Sequence, residues 1–360
     1  MTDRIAVFFG TRPEIIKLGP LISLLGSSAR LIHTGQHFDR ELSVLILDDL
    51  NIPSVARTLH VGGSTRAQQI GQAVLKGESA VSGCNAIVVQ GDTNSALAGA
   101  LVANSLEIPL FHVEAGLRSY DRRMPEEHNR VLVDHLADVC WAPTLGNVNN
   151  LLEEGIPDSR IEQTGNSVLE ALRSVSPDPA QVARLLAGVG LAHRGFVLTT
   201  LHRPENVDDP ERLAHTLKSL ANLPLPVVFP MHPRTKSTIE SAELDGLLDG
   251  LQVIPPVGYA DFLGLLGACA VAISDSGGIQ EEVSVLKVPL VVLRRSTERP
   301  EVLGTFASLT DDPDEMFELA SRVLTDVEGK FEELAALPSP FGDGRAAQRM
   351  VASIERFGIL

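Results

Sequence analysis

Short apolar runs, each ending in a polar turn that opens an amphipathic segment, recur along this chain from its first residues. That recurrence narrows the fold more than any other feature. In the first half the runs are Ile5 to Phe9, Leu31 to Thr34, Ala86 to Val89, Leu110 to Val113, Val139 to Ala142 and Ile161 to Gln163. In the second they are Phe196 to Thr200, Val227 to Phe229, Gln252 to Ile254, Val271 to Ser274 and Leu290 to Leu293. Runs of strand length alternating with helix-like segments predict repeated βα units and parallel sheets, the α/β class. Open sheets of this kind bind ligands beyond the C-terminal ends of their strands, so the turns after the runs are where chemistry is to be sought.

At 360 residues the chain exceeds one comfortable core and fits two domains. The segment SVSPDP from Ser174 reads as a linker, which divides the chain into residues 1–173 and 174–344. A hydrophobic fraction of 44% with 21% charged residues is that of a soluble globular protein. The net charge of −16 argues against nucleic acid or an anionic membrane as partner, so an anionic ligand needs local cations and helix N-termini. Cys84, Cys140 and Cys269 are scattered and lack metal-ligand spacing, which predicts buried, reduced thiols. The start, MTDRIAVFFG, enters a strand without a basic leader, and no apolar run reaches membrane-span length. The expected location is the cytoplasm.

The densest chemistry lies between Gly91 and Leu136. Gly91-Asp92-Thr93 turns out of the Ala86 run into an Ala/Leu-rich helix, and the Leu110 run delivers Glu114-Ala115-Gly116 to the same edge. Pro125 suits the first turn of a further helix, where its missing N–H would be unpaired anyway; Glu126, Glu127 and Arg130 follow. Asp92, Glu114 and Glu126 or Glu127 can therefore converge, and crowded carboxylates have pKa values pushed apart, as general acid–base chemistry requires. On spacing alone a second reading is equally open, with Asp92 a helix cap and Glu126 paired to Arg130 at i, i+4.

Other turns carry anion-binding chemistry. Gly10-Thr11-Arg12-Pro13-Glu14 is not the GxGxxG fingerprint, so no nicotinamide cofactor is signalled. It still offers backbone N–H groups beside Arg12 and Lys17. His37, in Gly35-Gln36-His37-Phe38-Asp39, reads as a hydrogen-bonded loop residue. His202 and Arg203 follow a strand end and can donate to phosphate oxygens. Ser276-Gly277-Gly278 opens a helix whose N–H groups and positive dipole end suit an anion; Glu282, one turn in, suits the two hydroxyls of a ribose. Arg299 adds a cation, and His232-Pro233-Arg234 ends another strand.

These motifs, GTRPE, the Gly91–Leu136 stretch, TGN, HRPEN, SDSGGIQEE and TERPE in that order, make the chain resemble the non-hydrolysing UDP-N-acetylglucosamine 2-epimerases over nearly its whole length. The resemblance implies a GT-B-like fold: two Rossmann-like, doubly wound parallel-sheet domains facing a cleft, with a last helix (345–360) crossing back to the first domain. It implies Asp92, Glu114, Glu126 and His202 as catalytic residues. It implies Arg12, Lys17, Arg130, Arg203, Ser276, Gly277, Gly278, Glu282 and Arg299 as ligands of a UDP-sugar. Elimination of UDP to 2-acetamidoglucal and re-addition needs a base, an acid and a clamp, with no metal or redox cofactor; which carboxylate is the base is left open. A homodimer is implied as well. HRPE replaces the HRRE of many bacterial members, and Phe38-Asp39 replaces a polar pair near a second nucleotide-sugar site, so activation through that site is not carried over. The rival readings are a hydrolysing epimerase, a 2-epimerase of a related UDP-sugar, a GT-B glycosyltransferase and a non-catalytic nucleotide-sugar sensor.

Overall fold

The computed structural model describes residues 5–35, 52, 55–61 and 65–360. The chain forms two compact units, one of residues up to Val175 together with Phe341–Leu360, the other Ser176–Pro340. Among the described residues the first unit contains strands β1 (Ile5–Phe9), β2 (Ala29–His33), β3 (Arg57–Thr58), β4 (Ala86–Gln90), β5 (Leu110–Val113), β6 (Val139–Ala142) and β7 (Ile161–Gln163). They lie in the order β3-β2-β1-β4-β5-β6-β7, with every pairing parallel. β1, β4, β5 and β6 are buried throughout, as expected for strands covered on both faces.

Helices Arg66–Ala80, Asn94–Ser105 and Pro125–Leu136 pack side by side, while helix Arg12–Leu25 packs with Val168–Val175 and Ala346–Arg356. The helix at 346–356 is therefore built into the first unit, across the sequence of the second. Trp141 Nε1 on β6 donates to Ser353 Oγ at 3.1 Å, and Phe111 on β5 stacks on Trp141 at 5.0 Å and meets Phe357 edge-on at 5.3 Å. Each aromatic pair adds about 1 kcal/mol beyond the burial of its area.

The second unit repeats the plan with β8 (Val197–Thr200), β9 (Val227–Pro230), β10 (Gln252–Ile254), β11 (Val271–Ser274), β12 (Leu290–Leu293) and β13 (Ala307–Thr310). The order is β10-β9-β8-β11-β12-β13, again all parallel. The expected α/β class with parallel sheets is thus what the chain adopts. Two strands went unread in the sequence. Arg57–Thr58 is a two-residue edge pair, and Ala307–Thr310 is an edge strand whose Ser308 is exposed, so neither makes an apolar run.

The three cysteines are free and buried. Burial pushes the Cys140 thiol far up and Cys269 to about 12, so neither offers a thiolate. Among the described residues no helix is long and apolar enough to cross a membrane.

Candidate functional site

In both sheets the chain starts in the middle, works outward to one edge and then returns to the other side of the first strand. β1 thus lies beside β4, and β8 beside β11. At such a reversal the two following turns leave in opposite directions, which opens a crevice at the strands' C-terminal ends. The predicted functional residues concentrate at these two points, and each point is bridged by a buried carboxylate.

In the first unit the bridge is Glu14. Its carboxylate accepts from Gly10 N (3.0 Å), Thr11 N (2.8 Å) and Thr11 Oγ1 (2.8 Å) after β1, and from Thr93 Oγ1 (2.7 Å) after β4. The two turns approach so closely that a Cβ on Gly10 would overlap Ser95 Oγ and Thr34 Oγ1. Burial pushes the Glu14 carboxyl up to about 7 against the opposing pull of these hydrogen bonds. Because its folded pKa lies above the unfolded value of 4.5, folding takes up a proton between those values. Stability is therefore lost as pH rises from about 4.5 to about 7, by about 3 kcal/mol in all. Glu14→Gln, which cannot titrate, should gain on wild type by that amount across the window. Urea midpoints of the two proteins at pH 5 and pH 8 read it, and an unchanging difference would mean that Glu14 does not titrate there.

Beside this bridge, Asp92 is ion-paired to Arg130, and Asn129 Nδ2 donates to the Asp92 carbonyl at 2.8 Å. Arg130 Nη1 also donates to Glu127 at 2.8 Å, and Glu127 accepts from Ser119 N and Tyr120 N as well. Glu127 is buried and Glu126 exposed, so it is Glu127 that joins the network, while Glu126 stands on the surface of the first helical turn. Neither structural alternative read from spacing holds, since Thr93 is the residue that caps its helix and Arg130 pairs at i−3, not i−4.

Glu114 is 5% exposed and bonded to Lys17, Gln90 Nε2 and Asn166 Nδ2, the last at 2.9 Å. Its φ of 66° is left-handed, a conformation that costs a residue with a Cβ about 1 kcal/mol or more. The surrounding donors hold it there. Lys17, expected as an extra charge for an anion, is buried and serves Glu114.

In the second unit the bridge is Asp275, which is fully buried. It accepts from His202 N (3.0 Å), Arg203 N (2.9 Å) and Asn206 Nδ2 (3.2 Å), and lies 2.9 Å from His202 Nδ1. Burial alone would raise its carboxyl; the His202 side chain and the backbone donors more than offset this and hold it below its usual range. Arg203 Nε donates to the Asp275 carbonyl at 2.8 Å. The His202 ring is left half-exposed, tilted against His232 at 5.5 Å.

Helix Gly277–Leu286 starts here. A Cβ on Gly277 would sit 2.7 Å from Glu298 Oε1 and 2.8 Å from Arg299 Nη1, whereas one on Gly278 would meet nothing within 4 Å. A side chain at Gly277 would thus have to displace the Glu298–Arg299 ion pair, and Gly278 faces open space. Ser276 makes no side-chain cap; its N–H donates to Ser274 Oγ at 3.0 Å. Arg299 is ion-paired to Glu281 and Glu298, and Glu298 also pairs with Arg294 at 2.9 Å. Arg203 Nη2 lies 4.0 Å from Glu298. Glu282 is buried and accepts from Tyr259 Oη at 2.8 Å.

The structure thus gathers Asp92, Glu114, Lys17 and Arg130 in the first unit, with Arg12 half-buried in the adjoining turn, and His202, Arg203, Ser276, Gly277, Gly278 and Arg299 in the second. His37 lies outside the described residues. Sequence reasoning assigned no role to Glu14, Gln90, Asn166, Asp275, Glu281 or Glu298. For all of these but Gln90 the signal was present, because each belongs to a motif, GTRPE, TGN, SDSGGIQEE or TERPE, that follows a strand.

The family model described as UDP-N-acetylglucosamine 2-epimerase matches residues 26–355. UDP-N-acetylglucosamine 2-epimerase of Methanocaldococcus jannaschii is 37% identical over 97% of this chain and 98% of its own length. UDP-2,3-diacetamido-2,3-dideoxy-D-glucuronate 2-epimerase of Pseudomonas aeruginosa is 38% identical over 85% of this chain and 87% of its own. The crystal structure of the M. jannaschii UDP-GlcNAc 2-epimerase in complex with UDP-GlcNAc and UDP superposes with a TM-score of 0.86 at 36% identity, covering 98% of this chain and 99% of that one. Likeness of this extent, in sequence and in folded frame together, places the chain in the UDP-N-acetylglucosamine 2-epimerase family.

Proposed function

We propose that the protein inverts C2 of UDP-N-acetylglucosamine to give UDP-N-acetylmannosamine without net hydrolysis. The observation that carries this reading is that Asp92 and Glu114, on adjacent strand ends, are each bonded to a buried cation, Arg130 and Lys17. Each cation fixes its carboxylate at the strand end, the place from which a side chain can take up a proton. The M. jannaschii relative holds UDP-GlcNAc and UDP in its crystals, which supports a UDP-sugar as the ligand.

No carbonyl adjoins C2, so its proton is weakly acidic, and the reaction needs a leaving group to accept the electron pair. A carboxylate removes the C2 proton, the C–H pair becomes the C1–C2 double bond, and the C1–O bond breaks with its pair going to UDP. In the return step a diphosphate oxygen bonds to C1 and a carboxylic acid protonates C2 on the other face. Asp92, Glu114 and Glu126 are the proposed acid and base groups. His202 and Arg203, with the N–H groups at Gly277 and Gly278, stabilise charge on the departing diphosphate. Asp275 aims the His202 ring through Nδ1. Arg299, held by Glu281 and Glu298, braces the helix start at Gly277. Glu282 takes the ribose hydroxyls, and Arg12 adds charge at the first turn. Assembly as a homodimer in the cytoplasm belongs to the same reading.

Incubation with UDP-N-acetylglucosamine in heavy water, followed by NMR, tests the proposal. The expected product is intact UDP-N-acetylmannosamine carrying deuterium at C2. Free N-acetylmannosamine would make the protein a hydrolysing epimerase. An epimer without C2 deuterium would reject elimination through a solvent-exchanging carboxylate. Because the P. aeruginosa relative acts on a diacetamido uronate, UDP-2,3-diacetamido-2,3-dideoxy-D-glucuronate is run alongside. Turnover of that compound alone would move the substrate to the related sugar.

A further inference from the structure

Under the turns that carry Asp92 and Glu114 lies a polar cluster that none of the roles above uses. His112, on β5, and Asp134, on helix Pro125–Leu136, are both fully buried. The His112 ring is hydrogen-bonded through Nδ1 with Asp134 Oδ1 at 2.6 Å and through Nε2 with the Gly91 carbonyl at 2.9 Å. The second oxygen of Asp134 accepts from Gly116 N at 3.2 Å and from Arg118 Nη2 at 2.8 Å. Arg118 is 4% exposed and anchored by Glu154. Burial alone would raise the Asp134 carboxyl; His112 and Arg118 more than offset it, so it stays ionised.

The placement of these bonds is what matters. Gly91 immediately precedes Asp92. Gly116 follows Glu114 by two residues, and both have positive φ, 83° and 66°. The carbonyl of Gly116 is fixed in turn by Asn150 Nδ2 at 2.9 Å. The helix that supplies Asp134 also supplies Arg130, the partner of Asp92. One buried His–Asp pair therefore touches the Asp92 turn, the Glu114 turn and the helix that carries Arg130. A hydrophobic pair would fill the same space without desolvating two polar groups, so packing alone does not call for it.

We infer that His112, through Asp134 and the Gly91 carbonyl, is a positioning residue that sets the spacing of Asp92 and Glu114. The inference rests on the acid–base reading proposed above. A displacement of about 1 Å in a reacting group costs on the order of 100-fold in rate, so the position of this strut should appear in kcat and not in ligand affinity.

The test compares wild type with His112→Phe, which keeps a ring and removes both ring nitrogens, and His112→Gln, which keeps an amide donor. His112→Phe is expected to be folded by circular dichroism. It should lose about 100-fold in kcat, with KM and UDP affinity within about threefold of wild type. His112→Gln should recover part of the lost kcat, which a merely structural role would not produce. Crystal structures of wild type and His112→Phe should differ at the Gly91–Asp92 turn or in the left-handed Glu114. Unmoved Asp92 and Glu114 carboxylates with wild-type kcat would overturn the inference. If wild type lacks 2-epimerase turnover, the proposed function fails and the crystal structures alone decide this point. Should His112→Phe not fold, Asp134→Asn takes its place with the same expected results.

Discussion

Glu114→Gln is expected to lower kcat by about 100-fold to 10,000-fold, the usual contribution of a positioned acid or base, while UDP affinity stays within about threefold. The substitution keeps the side chain's size and one acceptor oxygen, which serves Gln90 or Asn166 but not both since they bond to opposite oxygens, and removes the charge that faces Lys17. It also removes the capacity to take up a proton. UDP affinity should hold because the proposed diphosphate ligands, His202, Arg203 and the Gly277 helix start, belong to the other unit. Asp92→Asn should behave alike. Glu126→Gln is the more discriminating variant, because the structure exposes Glu126 and builds its neighbour Glu127 into the Arg130 network. Near-wild-type turnover in both Glu114→Gln and Asp92→Asn, measured by NMR of the nucleotide sugar, would reject the acid–base assignment.

Glu298→Ala should be the most damaging single change to the stability of the second unit, at about 3–5 kcal/mol. Its carboxylate lies between two buried guanidinium groups, 2.9 Å from Arg294 Nη1 and in contact with Arg299, with Arg203 Nη2 4.0 Å away. Burial already pulls the Arg294 guanidinium below its usual range, and Glu298 opposes that pull. Alanine would leave both cations in a poorly solvated place without their shared counter-charge. Saturating UDP should raise the melting temperature of Glu298→Ala more than that of wild type, because a bound diphosphate returns negative charge to the same guanidinium cluster. Thermal unfolding with and without UDP reads both effects. A loss of stability below about 1 kcal/mol would show that Glu205, 4.0 Å from Arg294, and Glu281 suffice as counter-charges.

The strands that hold the two sheets together were legible because a strand buried on both faces is apolar without interruption, as in IAVFF or LVVL. The edges were not. Arg57–Thr58 and Ala307–Thr310 need only one covered flank and leave no such run. The site followed the same logic. Residues that follow a strand end were found, since topology sends them to the crevice. The residues that hold them were missed, because a partner such as Asp134 for His112, or Thr93 for Glu14, is chosen by sheet order and not by spacing along the chain. Glu126 and Glu127 show the limit within a single helix turn. Adjacent residues differ by about 100° in direction, so only the placement of helix Pro125–Leu136 decides which one meets Arg130.

The first unit draws its last helix, Ala346–Arg356, from beyond the entire second unit. A ribosome therefore delivers an unfinished first unit. Until all of Ser176–Pro340 has been synthesised, Trp141 lacks Ser353, Phe111 lacks Phe357, and helix Arg12–Leu25 lacks a neighbour. The second unit is contiguous and can close as it emerges, while the first waits with an apolar face uncovered. Vectorial synthesis thus reverses the order in which the two units are completed. A chain ended at Pro340 and released from the ribosome should present a protease-resistant second unit attached to a protease-sensitive first one.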